Sequence, residues 1–301
     1  MTTAVDKRRT IAELRAGGDA GGVYACTRKD RLVTRSGTPY LAVELQDRTG
    51  AIPARAFRDA DFLAGQFERG DLVRVAGRVE RFREELQVEL SAIRAAEPGA
   101  ADPADFLPVA YRDMEELDGF LEHLAREVYD ADYRLLLDAF LSDEGFRAEL
   151  RRAPCTRGGH HSYLGGLLEH TVAVATLAQE ACALHPRLNS DLLICAAILH
   201  DVGKTREFEL GAEIALSPAG ELLGHLALGQ QLVAERAARL DAFPTDKLLA
   251  LSHCVLAHHG AESLPGRRFR SPEALALYRL NAVDAAIKGA LEHGLPAGHS
   301  F

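Results

Sequence analysis

The apolar residues of this 301-residue chain change their spacing about one third of the way along it. Up to about residue 95 they alternate with polar residues, as in YLAVELQD at 40–47, which predicts half-buried strands. From Tyr111 onward they recur at three- and four-residue spacing, which predicts helices. A sheet domain followed by a helical domain is therefore expected, and the length is sufficient for two cores.

Five strands are predicted in the first part of the chain, over about 22–33, 40–47, 51–57, 72–80 and 85–93. The turn signal at 47–50 joins the second and third strands, and a short helix at about 59–67 fits before the fourth. This order is typical of an OB-type barrel.

A proline-rich stretch at 98–110 is predicted to be the linker, so the expected domains are 1–97 and 111–301. Residues 1–98 hold 17 Lys and Arg against 15 Asp and Glu, whereas the whole chain has a net charge of −9. A near-neutral domain and an acidic domain suggest different tasks. The molecule as a whole is not expected to bind polyanions without specificity.

The helical part is predicted to contain helices at about 113–129, 133–141, 163–184, 189–200, 221–240, 245–258 and 272–291, with a small hairpin or loop at 208–217. The five cysteines form no CxxC pair and are interpreted as reduced, mostly buried apolar side chains. No segment approaches the length of about 18 apolar residues that a membrane span needs. No membrane partner and a cytoplasmic location are therefore expected.

Histidines fall on the apolar faces of several predicted helices. His170 shares a face with Leu167 and Val174, and His200, His225 and His258 have similar surroundings, His225 with Leu222 and Leu228. A single histidine on such a face is most often an ordinary core residue. Several helices that each send one such group inward instead predict a shared cation.

Asp284 is the strongest case, because apolar residues flank it at helical spacing: Leu277, Leu280, Ile287 and Leu291. An ionised carboxylate buried without a partner costs several kcal/mol or more, so Asp284 should be paired, protonated or bound to a metal. The pair His200-Asp201 ends the apolar run LLICAAIL, where Gly203 is expected to end the helix in the left-handed conformation.

These residues resemble the H…HD…D pattern of HD-domain metal-dependent phosphohydrolases, with His170, His200, Asp201 and Asp284 at the matching positions. The segments HHSYLGGLLEHT, AAILHDVGK, GELLGHLALG and LAHHG are similar to those of YhaM-type 3′→5′ exoribonucleases. The resemblance covers nearly the whole chain. It implies a two-domain α+β fold, in which a five-stranded OB-type barrel precedes an all-α HD-domain helical bundle.

The same resemblance implies hydrolysis of single-stranded RNA, with single-stranded DNA left open, to nucleoside 5′-monophosphates by metal-activated water. It implies a manganese-type divalent cation, although these ligand types also suit Fe, Co, Ni or Zn. Two ions are favoured. His225 and His258 occupy the positions that complete a second metal site, and His259 is the alternative ligand to His258.

Asp201 is expected to bridge the two ions, with His200 beside it in the catalytic group. Lys204 is expected to stabilise a phosphoryl oxygen, and the alternative is a solvated lysine at a helix end. His160 and His161, and more weakly Arg157, are candidates for binding the terminal phosphate or ribose. Their alternative role is local capping.

In the first domain, binding of a single strand needs basic groups and aromatic faces. The basic candidates are Lys29, Arg55, Arg78, Arg81 and Arg83. Tyr24, Tyr40, Phe57 and Phe82 are aromatic candidates, and for Tyr40 and Phe57 the interpretation as core residues is favoured over contact with bases.

Two alternatives stay open at this point. The HD site could act on a small nucleotide or cyclic nucleotide, or the chain could bind single-stranded nucleic acid without catalysis. Self-association of the acidic domain is also left open.

Overall fold

The computed structural model describes residues 9–295. They form two compact units, one of residues up to 108 together with 210–215, the other of 109–209 and the residues from 216 onward. The division at 108 lies within the predicted linker. The domain limits at 97, 98–110 and 111 remain a prediction.

The first unit contains a closed five-stranded barrel. Its strands are β1 (Gly22–Val33), β2 (Pro39–Asp47), β3 (Gly50–Ala56), β4 (Leu72–Phe82) and β5 (Glu85–Ala95), and helix α1 (Ala60–Ala64) precedes β4. The spatial order is β1-β2-β3-β5-β4, with β1 and β4 pairing to close the barrel. Only the β3–β5 pair is parallel. The predicted OB-type barrel is thereby confirmed.

Alternation along the strands fills the barrel interior. In β2, Leu41, Val43 and Leu45 are buried, while the residues between them are partly exposed. Tyr24 is also buried in this core, and its hydroxyl donates to the carbonyl of Arg9. The prediction that Tyr24 presents a ring to nucleic acid is therefore wrong.

The second unit is helical. Its helices are α2 (Met114–Arg126), α3 (Ala131–Leu141), α4 (Glu144–Arg152), α5 (Gly166–Leu184), α6 (Ser190–Leu199), α7 (Lys204–Glu207), α8 (Pro218–Ala237), α9 (Thr245–Ala257) and α10 (Pro272–His293). Every residue of α6 from Leu192 to Leu199 is buried, so this helix runs through the core. Helix α4 escaped prediction because only Phe146 and Leu150 mark its buried face. The weak alternation near 208–217 is a hairpin of β6 (Phe208–Leu210) and β7 (Ile214–Leu216).

All five cysteines are free thiols. No helix within residues 9–295 combines the length and the apolar character that a membrane crossing requires.

Candidate metal centre

Packing of the helices brings a set of imidazoles and carboxylates together in the second unit. His170 lies within α5, and His200 and Asp201 directly follow α6. His258 caps the C-terminus of α9, and Asp284 lies on α10. Because α5, α6, α9 and α10 contact one another through apolar faces, these polar groups meet at one place.

His200 and His258 are each oriented by a hydrogen bond to a backbone carbonyl of the preceding helix. Each caps the end of its helix, where the last carbonyls lack helical N–H partners. His200 Nδ1 lies 2.8 Å from the carbonyl oxygen of Ala197, and His258 Nδ1 lies 2.6 Å from that of Val255. Since a carbonyl only accepts, Nδ1 carries the proton in both rings. In the neutral form of each ring, Nε2 is left with a free lone pair.

Carboxylates orient two further imidazoles in the same way. His170 Nδ1 lies 2.6 Å from Asp284 Oδ2, and His225 Nδ1 lies 3.0 Å from Glu207 Oε1. The backbone N–H of His225 also donates to Glu207 Oε1, at 3.0 Å. Partners of this kind fix the tautomer of metal-binding histidines in many proteins.

The free Nε2 atoms face each other and the two oxygens of Asp201. His170 Nε2 and His200 Nε2 are 3.2 Å apart, and they lie 3.5 Å and 3.3 Å from Asp201 Oδ2. On the other side, His258 Nε2 lies 3.2 Å and His225 Nε2 lies 3.6 Å from Asp201 Oδ1. His259 Nε2 completes this second group, 2.9 Å from His225 Nε2.

This arrangement fits a cation. Asp201 Oδ1 and His258 Nε2 are buried and make no hydrogen bond, although they lie close together. Two lone pairs that face each other in a dry interior are stabilised only by a positive charge between them. Ligand bonds of about 2.0–2.2 Å around a tetrahedral ion place neighbouring ligand atoms about 3.3–3.6 Å apart. The distances of 3.2–3.6 Å between the Nε2 atoms and the Asp201 oxygens are close to this range, so the cluster is able to hold a divalent metal.

The electrostatics keep His258, His259 and Asp201 in ligand form. Burial lowers the pKa of His258 to about 3 and that of His259 to about 4, so both rings are neutral at neutral pH. Burial alone would raise the pKa of Asp201, but the Lys204 ammonium opposes it, and that pKa lies well below its usual range. The carboxylate is therefore ionised.

A family model described as the HD domain matches residues 167–286, which contain all these residues. A second model, of an OB-fold nucleic acid binding domain, matches residues 25–95. The chain therefore contains an HD domain, and an OB-fold domain precedes it.

The chain is also similar to individual proteins. It is 28% identical over 284 residues to the 3′-5′ exoribonuclease YhaM of Oceanobacillus iheyensis, and the match covers 92% of this chain and 86% of the relative. Among solved structures, the second OB-fold domain of replication protein A from Methanococcus maripaludis is 23% identical with a TM-score of 0.23, covering 30% of this chain and 94% of that one. The replication factor A related protein from Methanobacterium thermoautotrophicum is 19% identical with a TM-score of 0.25, covering 32% and 97%.

Asp284 contacts the Nδ1 side of the His170 ring. Its Oδ2 lies 2.6 Å from His170 Nδ1 and 3.1 Å from His161 Nε2, so it forms a group with these two histidines. His170, His200 and Asp201 form a separate group. Asp284 therefore orients the His170 ring, and its role as a metal ligand remains a prediction.

Asp284 and His225 were selected because apolar residues at helical spacing were expected to be buried beside them. Only some of those residues are buried. Ile287 and Leu291 are 58% and 79% exposed, so Asp284 does not lie on a fully buried face. Leu222 is 84% exposed, because Gly224 interrupts α8 with φ 67° and ψ 164° and rotates the residues on its two sides. Helical spacing across such a kink does not report a shared face.

Lys204 is buried, with its Nζ 2.7 Å from Asp201 Oδ2 and 3.4 Å from Cys155 Sγ. The alternative of a solvated lysine is therefore wrong. Burial disfavours the charged ammonium, but Asp201 raises the pKa of Lys204 above its usual value.

Gly203 is not in the left-handed conformation that the sequence suggested, because its φ is −61° and its ψ is −23°. A methyl group there would lie 2.1 Å from the carbonyl oxygen of His225 and 2.5 Å from the backbone nitrogen of Gly229. Glycine is needed because α8 passes directly over this turn, which brings His225 towards Asp201.

Replacing Gly203 with alanine is expected to lower the free energy of unfolding by at least about 1–3 kcal/mol, because backbone atoms must move. Gly289→Ala is the matched control, since no atom lies within 4 Å of its added methyl group. That helical position should gain about 0.5–1 kcal/mol. Chemical denaturation of both variants measures the difference. Equal stability of the two would contradict the close approach at Gly203.

The remaining histidine candidates lie in or beside this cluster, whereas Arg157 lies at the surface. His161 is buried between Asp284 and Tyr163, whose hydroxyl lies 2.7 Å from His161 Nδ1. His160 is half-buried beside Cys155, and burial lowers its pKa to about 4. Arg157 is exposed. His258 and His259 both belong to the group around Asp201 Oδ1.

Three residues that lie near the centre were not predicted from the sequence. Glu207 lies in a charged turn, KTRE, where no apolar stripe marks its buried side. Tyr163, which donates to Glu169, has no periodic pattern around it. Cys155 was grouped with the apolar thiols, yet it contacts an ammonium and a carboxylate.

On the barrel, an exposed arginine–aromatic surface is formed by Tyr40, Arg55, Phe57, Phe82 and Arg83. The Arg55 guanidinium lies 5.3 Å from the Phe82 ring and 5.9 Å from the Tyr40 ring, and Arg83 lies 5.3 Å from Phe82. Phe57 is 41% exposed and stacks on Tyr40 with ring centroids 5.4 Å apart. The interpretation of Phe57 as a core residue is therefore wrong.

The other basic candidates of the barrel differ in whether an acidic neighbour already pairs with their charge. Lys29 Nζ is 2.9 Å from Glu68, and Arg81 is 3.2 Å from Glu84, so an acidic neighbour compensates each charge. Arg78 is exposed on β4.

Proposed function

We propose that this chain is a divalent-metal-dependent 3′→5′ exoribonuclease, which hydrolyses single-stranded RNA to nucleoside 5′-monophosphates. The observation that carries the proposal is the division of the imidazole Nε2 atoms between the two oxygens of Asp201. The similarity to a protein named as a 3′-5′ exoribonuclease supports the reaction class. We also propose a cytoplasmic location.

Two ions are proposed. His170, His200 and Asp201 Oδ2 would hold one, and His225, His258, His259 and Asp201 Oδ1 would hold the other. Manganese is the proposed metal, because the resemblance to YhaM-type exoribonucleases implies it and the Asp201 carboxylate suits it. Iron, cobalt, nickel or zinc would suit the imidazole donors. When bound, the metals lower the pKa of water towards neutrality and neutralise charge on the phosphoryl group.

The protein's own groups position these ligands and complement the charge of the substrate. Asp201 offers one oxygen to each ligand group, which makes it the bridging carboxylate of this proposal. Glu207 and Asp284 hold His225 and His170 in the tautomer that points Nε2 inward. Lys204 supplies a fixed positive charge for a phosphoryl oxygen in the transition state.

The arginine–aromatic surface of the barrel is the proposed contact for the single strand. Rings stack on bases whatever their identity, and guanidinium groups pair with phosphates. Arg55 and Phe82 are its centre, because Arg55 lies over both Phe82 and Tyr40.

We expect Phe82→Ala to weaken binding of a single-stranded oligonucleotide by about 1–3 kcal/mol, the usual value of one stacked base. Arg55→Ala should reduce the slope of log K against log salt by about 0.7, as one phosphate contact is lost. Fluorescence anisotropy without metal measures both effects. Phe62→Ala is the control, since Phe62 is 68% exposed on α1 and lies outside this surface. An equal loss of affinity in all three variants would show that the oligonucleotide binds elsewhere.

The reaction itself is tested by incubating the protein with Mn²⁺ and a 5′-labelled single-stranded RNA. A ladder of products, each one nucleotide shorter than the last, is the expected result, with single-stranded DNA tested beside it. Intact RNA together with hydrolysed small phosphoesters would favour a nucleotide phosphohydrolase. Intact RNA that shifts in a gel would favour a binding protein.

A further inference from the structure

A buried thiol lies against the metal centre and takes no part in the proposed reaction. Cys155 Sγ lies 3.6 Å from His160 Nε2, 3.4 Å from Lys204 Nζ and 3.9 Å from Asp201 Oδ2. The side chain has no solvent exposure. Its neighbours are thus the polar atoms of the centre, in contrast to Cys195 and Cys254, which lie in the apolar core.

A thiol and two imidazoles converge at this point. A ligand atom from each of Cys155, His160 and His170 lies within 4.8 Å of the others. Around a tetrahedral ion, a bond to sulfur of about 2.3 Å and a bond to nitrogen of about 2.0–2.1 Å put the sulfur about 3.6 Å from the nitrogen. The Cys155 and His160 atoms already have this separation.

The third ligand is shared with the hydrolytic centre. His170 Nδ1 is held by Asp284, which leaves only Nε2 to bind a metal. The same Nε2 faces His200 and Asp201. An ion held by Cys155 and His160 therefore needs the nitrogen that the hydrolytic ion uses, and the two ions exclude each other at His170.

We propose that Cys155, His160 and His170 form a site for a thiophilic divalent cation such as Zn²⁺, which displaces the hydrolytic ion from His170 and inhibits the enzyme. A thiolate selects zinc, cobalt or cadmium over manganese, because manganese prefers oxygen ligands. On binding, a metal–sulfur bond forms and the thiol proton leaves to solvent, with no change of oxidation state. The inhibition rests on the proposed function, whereas the metal site does not.

Cobalt reports the site directly, because a cobalt–thiolate bond gives charge-transfer absorption in the near ultraviolet. We expect this band when Co²⁺ is added to the wild-type protein and to Cys182→Ser, which removes a half-buried thiol of α5 outside the cluster. It should be absent in Cys155→Ser. His160→Ala should weaken Co²⁺ binding at this band by at least about 10-fold. A band that survives in Cys155→Ser, or a wild-type protein without one, overturns the site.

The inhibition is measured separately. With Mn²⁺ and RNA, Zn²⁺ should inhibit the wild-type enzyme, and Cys155→Ser should need at least about 10-fold more Zn²⁺ for the same inhibition. Equal zinc sensitivity would contradict the competition at His170. If RNA is not hydrolysed at all, the proposed function fails while the cobalt band still decides the site.

Discussion

Asp201→Asn is expected to lose metal binding and RNA hydrolysis together. Asn keeps the shape of the side chain but removes the charge that both ligand groups face. Metals of this kind supply several kcal/mol of transition-state stabilisation. A loss of about 4 kcal/mol corresponds to a fall in rate of about 10³-fold. Calorimetric titration with Mn²⁺ and the RNA assay measure the two effects.

Stability must be separated from catalysis in this variant. The neutral side chain leaves the buried Lys204 ammonium without its partner, and breaking such a pair costs about 3–5 kcal/mol. The double variant Asp201→Asn/Lys204→Met removes the unpaired charge and should recover much of that loss while staying inactive. Asp241→Asn makes the same charge change at an exposed position and should be active. Activity within tenfold of wild type in folded Asp201→Asn would remove the centre from consideration.

The sequence predicted the barrel well because its strands alternate cleanly and its turns carry clear signals. Both faces of β2 can be read from YLAVELQD, and the structure buries alternate residues as expected. Helices with long apolar stripes were equally visible. The predictions failed where an element is short or polar, as in α4 and α7, because few apolar residues mark a buried side there.

For the metal centre, the sequence identified the imidazoles but not the atoms that orient them. Carbonyls of Ala197 and Val255 hold His200 and His258, and a backbone carbonyl has no signature in a sequence. The sequence also suggested the wrong explanation for the glycine at position 203. Helix α8 approaches the backbone closely there, and this contact, not a left-handed φ angle, requires glycine. Such contacts depend on elements distant along the chain, which local pattern does not report.

Lys204→Met is expected to separate metal binding from catalysis. In the metal-free protein, the variant should lose about 3–5 kcal/mol of unfolding free energy, because Asp201 remains charged and buried without its ammonium partner. Mn²⁺ should restore this stability, because its positive charge neutralises Asp201. In the variant, no ammonium competes with the metal for Oδ2. The rise in melting temperature on adding Mn²⁺ should thus exceed that of the wild type.

Hydrolysis by metal-loaded Lys204→Met should nevertheless fall by about 10²–10³-fold, the usual cost of removing one fixed group that stabilises transition-state charge. Lys247→Met is the control, because it removes a lysine that pairs with Asp130 and Asp132 outside the centre. A loaded Lys204→Met enzyme that works at the wild-type rate would show that Lys204 only neutralises Asp201 until metal arrives. A fall in rate with full metal occupancy instead assigns the ammonium to the phosphoryl group, because the metal then already satisfies Asp201.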